Sequence, residues 1–135
     1  MRVNGINLLA VLAAAVAIYA VGFVIYGLLV SPELWMASQG ITQQQLDAVG
    51  MGRMVYSPAM PIVTAVGLAV LFKWGKVSGA ANGAKWGVLV ALASALPTIW
   101  YGWVYGVGTA TGPLIDSGHL LLGHVVGGSI LAKWK

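Results

Sequence analysis

The chain of 135 residues contains no cysteine and few charged residues. The absence of cysteine excludes disulfides, thiolate metal sites and cysteine nucleophiles together. Charged residues make up 7% of the sequence and only three are acidic, which leaves little for paired-carboxylate catalysis. The seven Lys and Arg give a formal charge of +4, but they are scattered, so nucleic acid is not an expected partner.

Recognisable catalytic motifs are also missing. The sequence contains no HExxH, no GxSxG and no P-loop. The pattern therefore favours a protein that is not an enzyme, without deciding the point. An enzyme would have to use Asp116, the two histidines and tyrosines as its acids and bases.

What the chain does contain is apolar sequence, at 59% of its residues. Broken at its charges, it gives four runs of roughly the twenty residues that a hydrocarbon core about 30 Å thick requires. These runs predict an all-α integral membrane four-helix bundle, in one membrane domain over residues 1–135. The first run is too long for the apolar region of a signal peptide, roughly 7–15 residues, so we expect it to be retained. The predicted spans are residues 6–30, 55–72, 86–107 and 113–132.

The positions of the cations predict an orientation. Only Arg53 falls in the connection between the first and second spans, and the other cations fall on the opposite side. By the positive-inside rule both termini are predicted to be cytoplasmic, in a bacterial inner membrane. The outward segment 31–54 is expected to form short interfacial helices, with Thr42 as an N-cap. The cations assigned to the cytoplasmic side are Arg2, Lys73, Lys76, Lys85, Lys133 and Lys135.

Small residues mark the faces on which the helices are expected to pack. In lipid, helices associate largely through close packing of small side chains. The last span carries the GxxxG pair Gly123 and Gly127, followed by Gly128, and Gly22 lies on one face of the first span. These residues favour a compact bundle or a homodimer, which would use the same grooves.

Three ionisable residues interrupt the fourth span, in the stretch GPLIDSGHLLLGH. Asp116 and His119 are three residues apart and so share a helical face, where the carboxylate can accept a hydrogen bond from the imidazole. Alternatively, Asp116 complements the positive end of a helix that starts near Pro113. His119 is otherwise a simple interfacial histidine.

His124 is predicted to lie near the middle of the membrane, about 13 Å from the cytoplasmic boundary at 1.5 Å per residue. A polar side chain at that depth is costly unless it faces the bundle and finds a partner. It bonds to Tyr19, Tyr26 or Ser94, or it binds a haem, a chlorophyll-type pigment or a metal, or it belongs to a proton path. The neighbouring Gly123, Gly127 and Gly128 would leave room for a flat macrocycle.

The segment WYGWVY, residues 100–105, is typical of an aromatic belt at a membrane interface. Alternatively, Tyr101 and Tyr105, which lie one turn apart, point towards the fourth helix and supply hydroxyl groups there.

Both ends of the chain resemble a known family. NLLAVLAAAVAIYAVGFVIYG followed by LWMASQGIT resembles the opening of the small bacterial membrane proteins of the DUF1761 family, which begin with an Asn-x-Leu-Ala-Val helix. LIDSGHLLLGHVVGGSILAKW resembles the last helix of that family. The family's early proline follows later here, at Pro32. The resemblance implies a four-helix integral membrane fold and no catalytic residues.

Three hypotheses for the function follow. The first is a non-catalytic protein that packs against itself or against other membrane proteins, as an accessory subunit of a larger complex. The second is a protein that binds a cofactor, pigment, metal or lipid through His124. The third is a small transporter or membrane enzyme in which Asp116, His119, Tyr101 and Tyr105 line an outward-facing cavity.

Overall fold

The computed structural model describes residues 1–134, with the side chain of Met51 left out. Lys135, one of the cations assigned to the cytoplasmic side, lies outside the described residues. Four helical segments are long and apolar enough to cross a membrane, which confirms the predicted four-helix membrane fold and makes the chain a multi-pass membrane protein. These four spans are Leu8–Leu29, Gly52–Trp74, Ala80–Val104 and Thr111–Lys133.

The spans are built from shorter elements. Helix α1 (Leu8–Val24) continues as a π-helical segment (Ile25–Leu29). The second span joins a 3₁₀ turn (Met51–Tyr56) to α4 (Ala59–Trp74). The third joins α5 (Ala80–Val90), a π-helical segment (Ala91–Ala95) and α6 (Leu96–Val104). The fourth is the single helix α7 (Thr111–Lys133).

The ends of the helices differ from the predicted spans by two to three residues at several places and by six at the start of the third span. The third span begins at Ala80 rather than at residue 86, because one lysine in the second turn, Lys85, can extend its charge to the interface and does not break the helix. The fourth begins at Thr111 rather than at Pro113. A proline at the third helical position costs no hydrogen bond, since the first backbone N–H groups of a helix have no partner within it.

A short β-hairpin precedes α1, where the sequence had predicted helix from residue 6. Strand β1 (Arg2–Val3) pairs antiparallel with β2 (Ile6–Asn7) across the two-residue turn Asn4-Gly5. Both turn residues have positive φ, 49° and 77°, which is the geometry that Asn-Gly favours in tight hairpins. The hairpin therefore has a local cause in the sequence.

The predicted interfacial connector between the first two spans is present. It consists of α2 (Pro32–Gln39) and α3 (Gln43–Val49). Ser31 caps α2 with Pro32 in the first turn, and Gly40 ends it in the left-handed conformation. Thr42 caps α3 in a reciprocal capping box with Gln45, which confirms Thr42 as an N-cap.

Helix α7 lies at the centre of the bundle and contacts α1, α4, α5 and α6. The tightest of these packings joins α7 to α5. A side chain on Gly83 would collide with the carbonyl oxygen of Gly128, and one on Gly128 would collide with that of Gly83. The backbones of α5 and α7 are thus in direct contact, as small-residue faces allow in membranes. The apolar core lies between α1, α4 and α7 and includes Ala14, Ile18, Leu68, Phe72 and Leu131.

Candidate functional site

Three side chains from α7 and the first span meet near the α2–α3 end of the bundle. The Tyr26 hydroxyl donates a hydrogen bond to Oδ1 of Asp116. The Tyr26 ring also meets the His119 ring edge to face, with 5.2 Å between ring centroids and 80° between planes. Tyr26 lies in the π-helical segment that ends the first span. Tyr26, Asp116 and His119 are called the Asp116 cluster below.

The spacing in the sequence predicted that Asp116 and His119 share one helical face, but it did not identify Tyr26, which contacts both side chains. The hydroxyl of Tyr26, and not the imidazole of His119, bonds to the carboxylate. The helix-capping interpretation of Asp116 is wrong, because α7 begins at Thr111 and no acidic residue lies in its first turn. Asp116 is therefore held by a contact between helices rather than by the helix dipole.

Gly22 makes space for His119. A methyl group on Gly22 would lie 3.0 Å from Nε2 of His119, closer than side chains normally approach. Gly22 and Tyr26 are one turn apart and so lie on the same face of the first span. The first span therefore leaves space for the His119 imidazole ring at Gly22 and packs the Tyr26 ring against that imidazole one turn later. That spacing was visible in the sequence as a packing face of the first span, but it did not identify Tyr26 as the partner of Asp116.

A cavity of about 430 Å³ opens beside the cluster. Asp116 lines it from α7, and Trp103 lines it from α6. The other polar side chains in its wall come from the connector and from the third span with its following turn. The described part of the wall carries one carboxylate and no cation. These polar lining residues are Ser38, Gln39, Thr98 and Thr109.

In the wall of this cavity, the connector is hydrogen-bonded to the turn that precedes α7. The backbone N–H of Thr109 donates to the Ser38 carbonyl at 2.9 Å, and a methyl group on Gly108 would lie only 2.5 Å from that same oxygen. Outside the lining of the cavity, the Trp100 indole N–H donates to the Ser117 hydroxyl at 3.1 Å and joins α6 to α7. One part of the cavity wall is thus held by a hydrogen bond between the connector and the turn before α7.

The connector also carries a carboxylate, Glu33, in the first turn of α2. Hydrogen bonds from its own backbone N–H and then from the Ser31 hydroxyl hold the pKa of the Glu33 carboxyl below its usual range. Glu33 is exposed and does not line the cavity, so its charge belongs to the N-terminus of α2.

His124 lies apart from these groups and is buried, at 8% exposure. Its Nδ1 donates to the Leu120 carbonyl of its own helix at 2.7 Å, because a carbonyl oxygen can only accept. Of the three partners considered from the sequence, Tyr26 bonds to Asp116 instead, and the Ser94 hydroxyl donates to the Val90 carbonyl.

The glycines around His124 face helices rather than a ligand space. Gly123 and Gly127 lie against Ile18, at 3.3 and 2.7 Å from where a methyl group would be, and Gly128 lies against Gly83. The predicted room for a flat macrocycle is therefore filled by α1 and α5. Within residues 1–134 no three His, Asp or Glu side chains come together as metal ligands.

Tyr101 and Tyr105 do not reach the Asp116 cluster. Their side chains are 67% and 76% exposed, and their rings lie 5.1 Å apart on the outside of α6. Neither lines the cavity. The position is that of interfacial aromatic side chains.

Comparison with family models gives one match. Residues 9–132 match the model of DUF1761, described as a protein of unknown function, and this range contains Tyr26, Asp116, His119 and His124. Comparison with curated proteins and with solved structures gives no match. Since the match extends over nearly the whole chain, the protein belongs to the DUF1761 family.

Proposed function

We propose that this protein is a non-catalytic receptor for a small organic cation, which it binds in the cavity beside Asp116. The observation that carries the proposal is the position of Asp116, the one acidic residue in the four spans described, in the wall of a polar cavity. An ionisable residue in a membrane span is costly and so indicates a functional site. Tyr26 occupies one oxygen of the carboxylate and leaves the other for a ligand.

The chemistry of the wall supports a cation of the ammonium type. One carboxylate faces no lysine or arginine within the described wall, so a bound cation would meet an uncompensated negative charge. Trp103 offers an aromatic face, which attracts ammonium groups. Hydroxyl and amide groups complete the wall. A volume of about 430 Å³ lies within the range of small-ligand pockets, about 300–1,000 Å³.

The test uses choline and its uncharged isostere 3,3-dimethylbutan-1-ol as probes, with ethylammonium as a smaller cation. Binding to the protein in nanodiscs is followed through tryptophan fluorescence and calorimetry. A cation is expected to bind at least tenfold more tightly than the neutral isostere, and Asp116→Asn is expected to remove the difference. Asp47→Asn is the matched control, because Asp47 is an exposed acid of α3 outside the cavity wall. Equal binding of charged and neutral probes would contradict the proposal.

For the membrane, we propose a bacterial inner membrane with both ends of the chain in the cytoplasm, which puts the Asp116 cavity on the outer side. The uneven distribution of the cations supports this orientation. Because the chain has no native cysteine, single Ser78→Cys and Gln44→Cys variants give unambiguous labelling. Both positions are exposed. An impermeant maleimide added to intact cells is expected to label position 44 and not position 78, and the reverse pattern would invert the assignment.

A second candidate function is packing against other copies or other membrane proteins, as an accessory subunit. The third span favours it, because the buried residues of that span are Gly83, Gly87 and Ala91 alone and large apolar side chains such as Leu89, Leu92 and Val104 are exposed. Native mass spectrometry of the protein extracted in mild detergent is expected to show additional protein chains. A monomer carrying only lipid would contradict this role while leaving the cation test unaffected.

A further inference from the structure

The opposite end of the bundle holds a second cavity, about 22 Å from Asp116 along α7 by the helical rise. Three elements meet there: the hairpin, the end of α4 and the end of α7. The Asn7 side-chain amide N–H donates to the Trp134 carbonyl at 3.1 Å. The side-chain oxygen Oδ1 of Asn7 caps α1 by accepting from the Leu9 N–H. The stem of Lys73 lies beside the hairpin turn, 3.8 Å from where a methyl group on Gly5 would be. The hairpin is thus docked on the bundle end.

This second cavity has a volume of about 350 Å³, and its wall is cationic in one part and apolar in another. Arg2, Lys73 and Lys76 supply three cationic groups, all on exposed side chains at its rim. The chain's three acids are Glu33, Asp47 and Asp116, and none lines it. The floor is apolar and comes from strand β2 and from the core side of the helices, through Ile6, Ala10, Ala69, Phe72 and Leu131.

We propose that this second cavity binds the phosphate headgroup of an anionic phospholipid. Three cations with no acidic side chain beside them among residues 1–134 are complementary to a phosphate, which ammonium and guanidinium groups bind by charge-assisted hydrogen bonds. The cavity lies where three spans end, at the depth of lipid headgroups, with Trp134 beside it as an interfacial side chain.

The apolar floor selects a lipid over free phosphate. A soluble phosphate would meet the same three cations but would gain nothing from Ala10, Phe72 and Leu131, and its charge is poorly accommodated beside apolar surface. The glycerol backbone and the first methylene groups of an acyl chain would cover the same surface favourably. The inference concerns a different site from the Asp116 cavity and does not depend on the cation proposal.

The test is a lipid titration of the delipidated full-length protein, read by native mass spectrometry. Dioleoyl phosphatidylglycerol is compared with dioleoylglycerol, which has the same chains and no phosphate. One phosphatidylglycerol per chain is expected to bind at least tenfold more tightly than dioleoylglycerol. The double variant K73Q/K76Q is expected to weaken phosphatidylglycerol binding roughly 10- to 30-fold, from about a kilocalorie per mole for each cation lost near the surface.

Two matched variants separate this site from net charge. K85Q/K133Q removes the same charge from the same end of the bundle but not from the cavity wall, so it is expected to bind phosphatidylglycerol like the parent. K73R/K76R keeps the charge and is expected to keep the binding. An equal loss in K73Q/K76Q and K85Q/K133Q would overturn the assignment, since it would show a general charge effect.

A competition arm distinguishes the two sources of phosphate. Glycerol 3-phosphate and inorganic phosphate are added at millimolar concentration to the lipid complex. Retention of the lipid supports the proposed site. Displacement of the lipid by either soluble anion would overturn the proposal, because the apolar floor would then contribute nothing to binding.

Discussion

The two halves of the third span pack very differently on α7. Helix α5 lies with its backbone against that of α7, at Gly83–Gly128 and again where Gly87 meets the His124 carbonyl. Helix α6 contacts α7 far less, has no buried residue and leaves the cavity beside Asp116. Small residues at every fourth position, Gly83, Gly87 and Ala91, let the first half of the span approach the α7 backbone closely. Bulkier residues keep the second half farther from α7.

The change from close to open packing coincides with the π-helical segment Ala91–Ala95 and with Pro97 just after it. Proline has no backbone N–H and its ring collides with the carbonyl four residues earlier, here that of Ala93. A π-helical turn widens the helix at that place and relieves the collision. The same span therefore packs closely on α7 at one end and borders the cavity beside Asp116 at the other.

The largest expected effect comes from breaking the close half. Gly128→Ala is expected to destabilise the bundle by about 3 kcal/mol, because a methyl group there meets the Gly83 carbonyl oxygen and one backbone must move. Gly118→Ala in the same helix is the control, since nothing lies within 4 Å of its added methyl group. Thermal unfolding in detergent measures both, and equal stabilities would show that the close contact is not needed.

The next largest loss of stability is expected from breaking the hydrogen bond that joins the first span to α7 beside the cavity. Tyr26→Phe removes the hydroxyl that bonds to Asp116 and is expected to cost about 1–3 kcal/mol, the penalty for an unsatisfied polar group. Tyr19→Phe is the matched control on the same helix, with a more exposed ring. The free energy of unfolding is measured for both by SDS titration in mixed micelles. A loss as large in Tyr19→Phe would assign the effect to phenol hydroxyls in general.

Part of the fold and of the candidate site could be predicted from the sequence, and part could not. The spans, the Thr42 cap and the glycines of α7 follow from local patterns of hydropathy and residue size. The Tyr26–Asp116 bond depends on the register of α1 against α7, for which a single sequence carries no signal. Gly83 and Gly87 form a GxxxG pair of their own, but Lys85 between them left Gly83 outside the predicted third span, which began at residue 86.

A smaller effect is expected where the two halves join. Pro97→Ala restores the missing N–H and removes the ring that the π-helical segment accommodates, so α6 is expected to straighten towards α7. The cavity then narrows, and choline affinity is expected to fall by less than tenfold, or under 1.4 kcal/mol. Spin labels on Val104→Cys and Leu114→Cys, both exposed, measure the approach of the helices. An unchanged distance with unchanged affinity would show that Pro97 does not open the cavity.

The smallest expected effect on the stability of the bundle comes from the far end, in the hairpin. Gly5→Ala places a side chain at a φ of 77° and is expected to cost about 1–2 kcal/mol locally, because L-residues disfavour the left-handed region. Gly52→Ala is the control, with open space around its methyl group and an ordinary φ. Since the hairpin is docked through Asn7 but lies outside the core, its fraying is expected to leave thermal unfolding of the bundle nearly unchanged. Arg2 would lose its fixed place at the second cavity, so phosphatidylglycerol binding is expected to weaken while choline binding stays the same. If choline binding weakened equally, the two ends of the bundle would be coupled rather than independent.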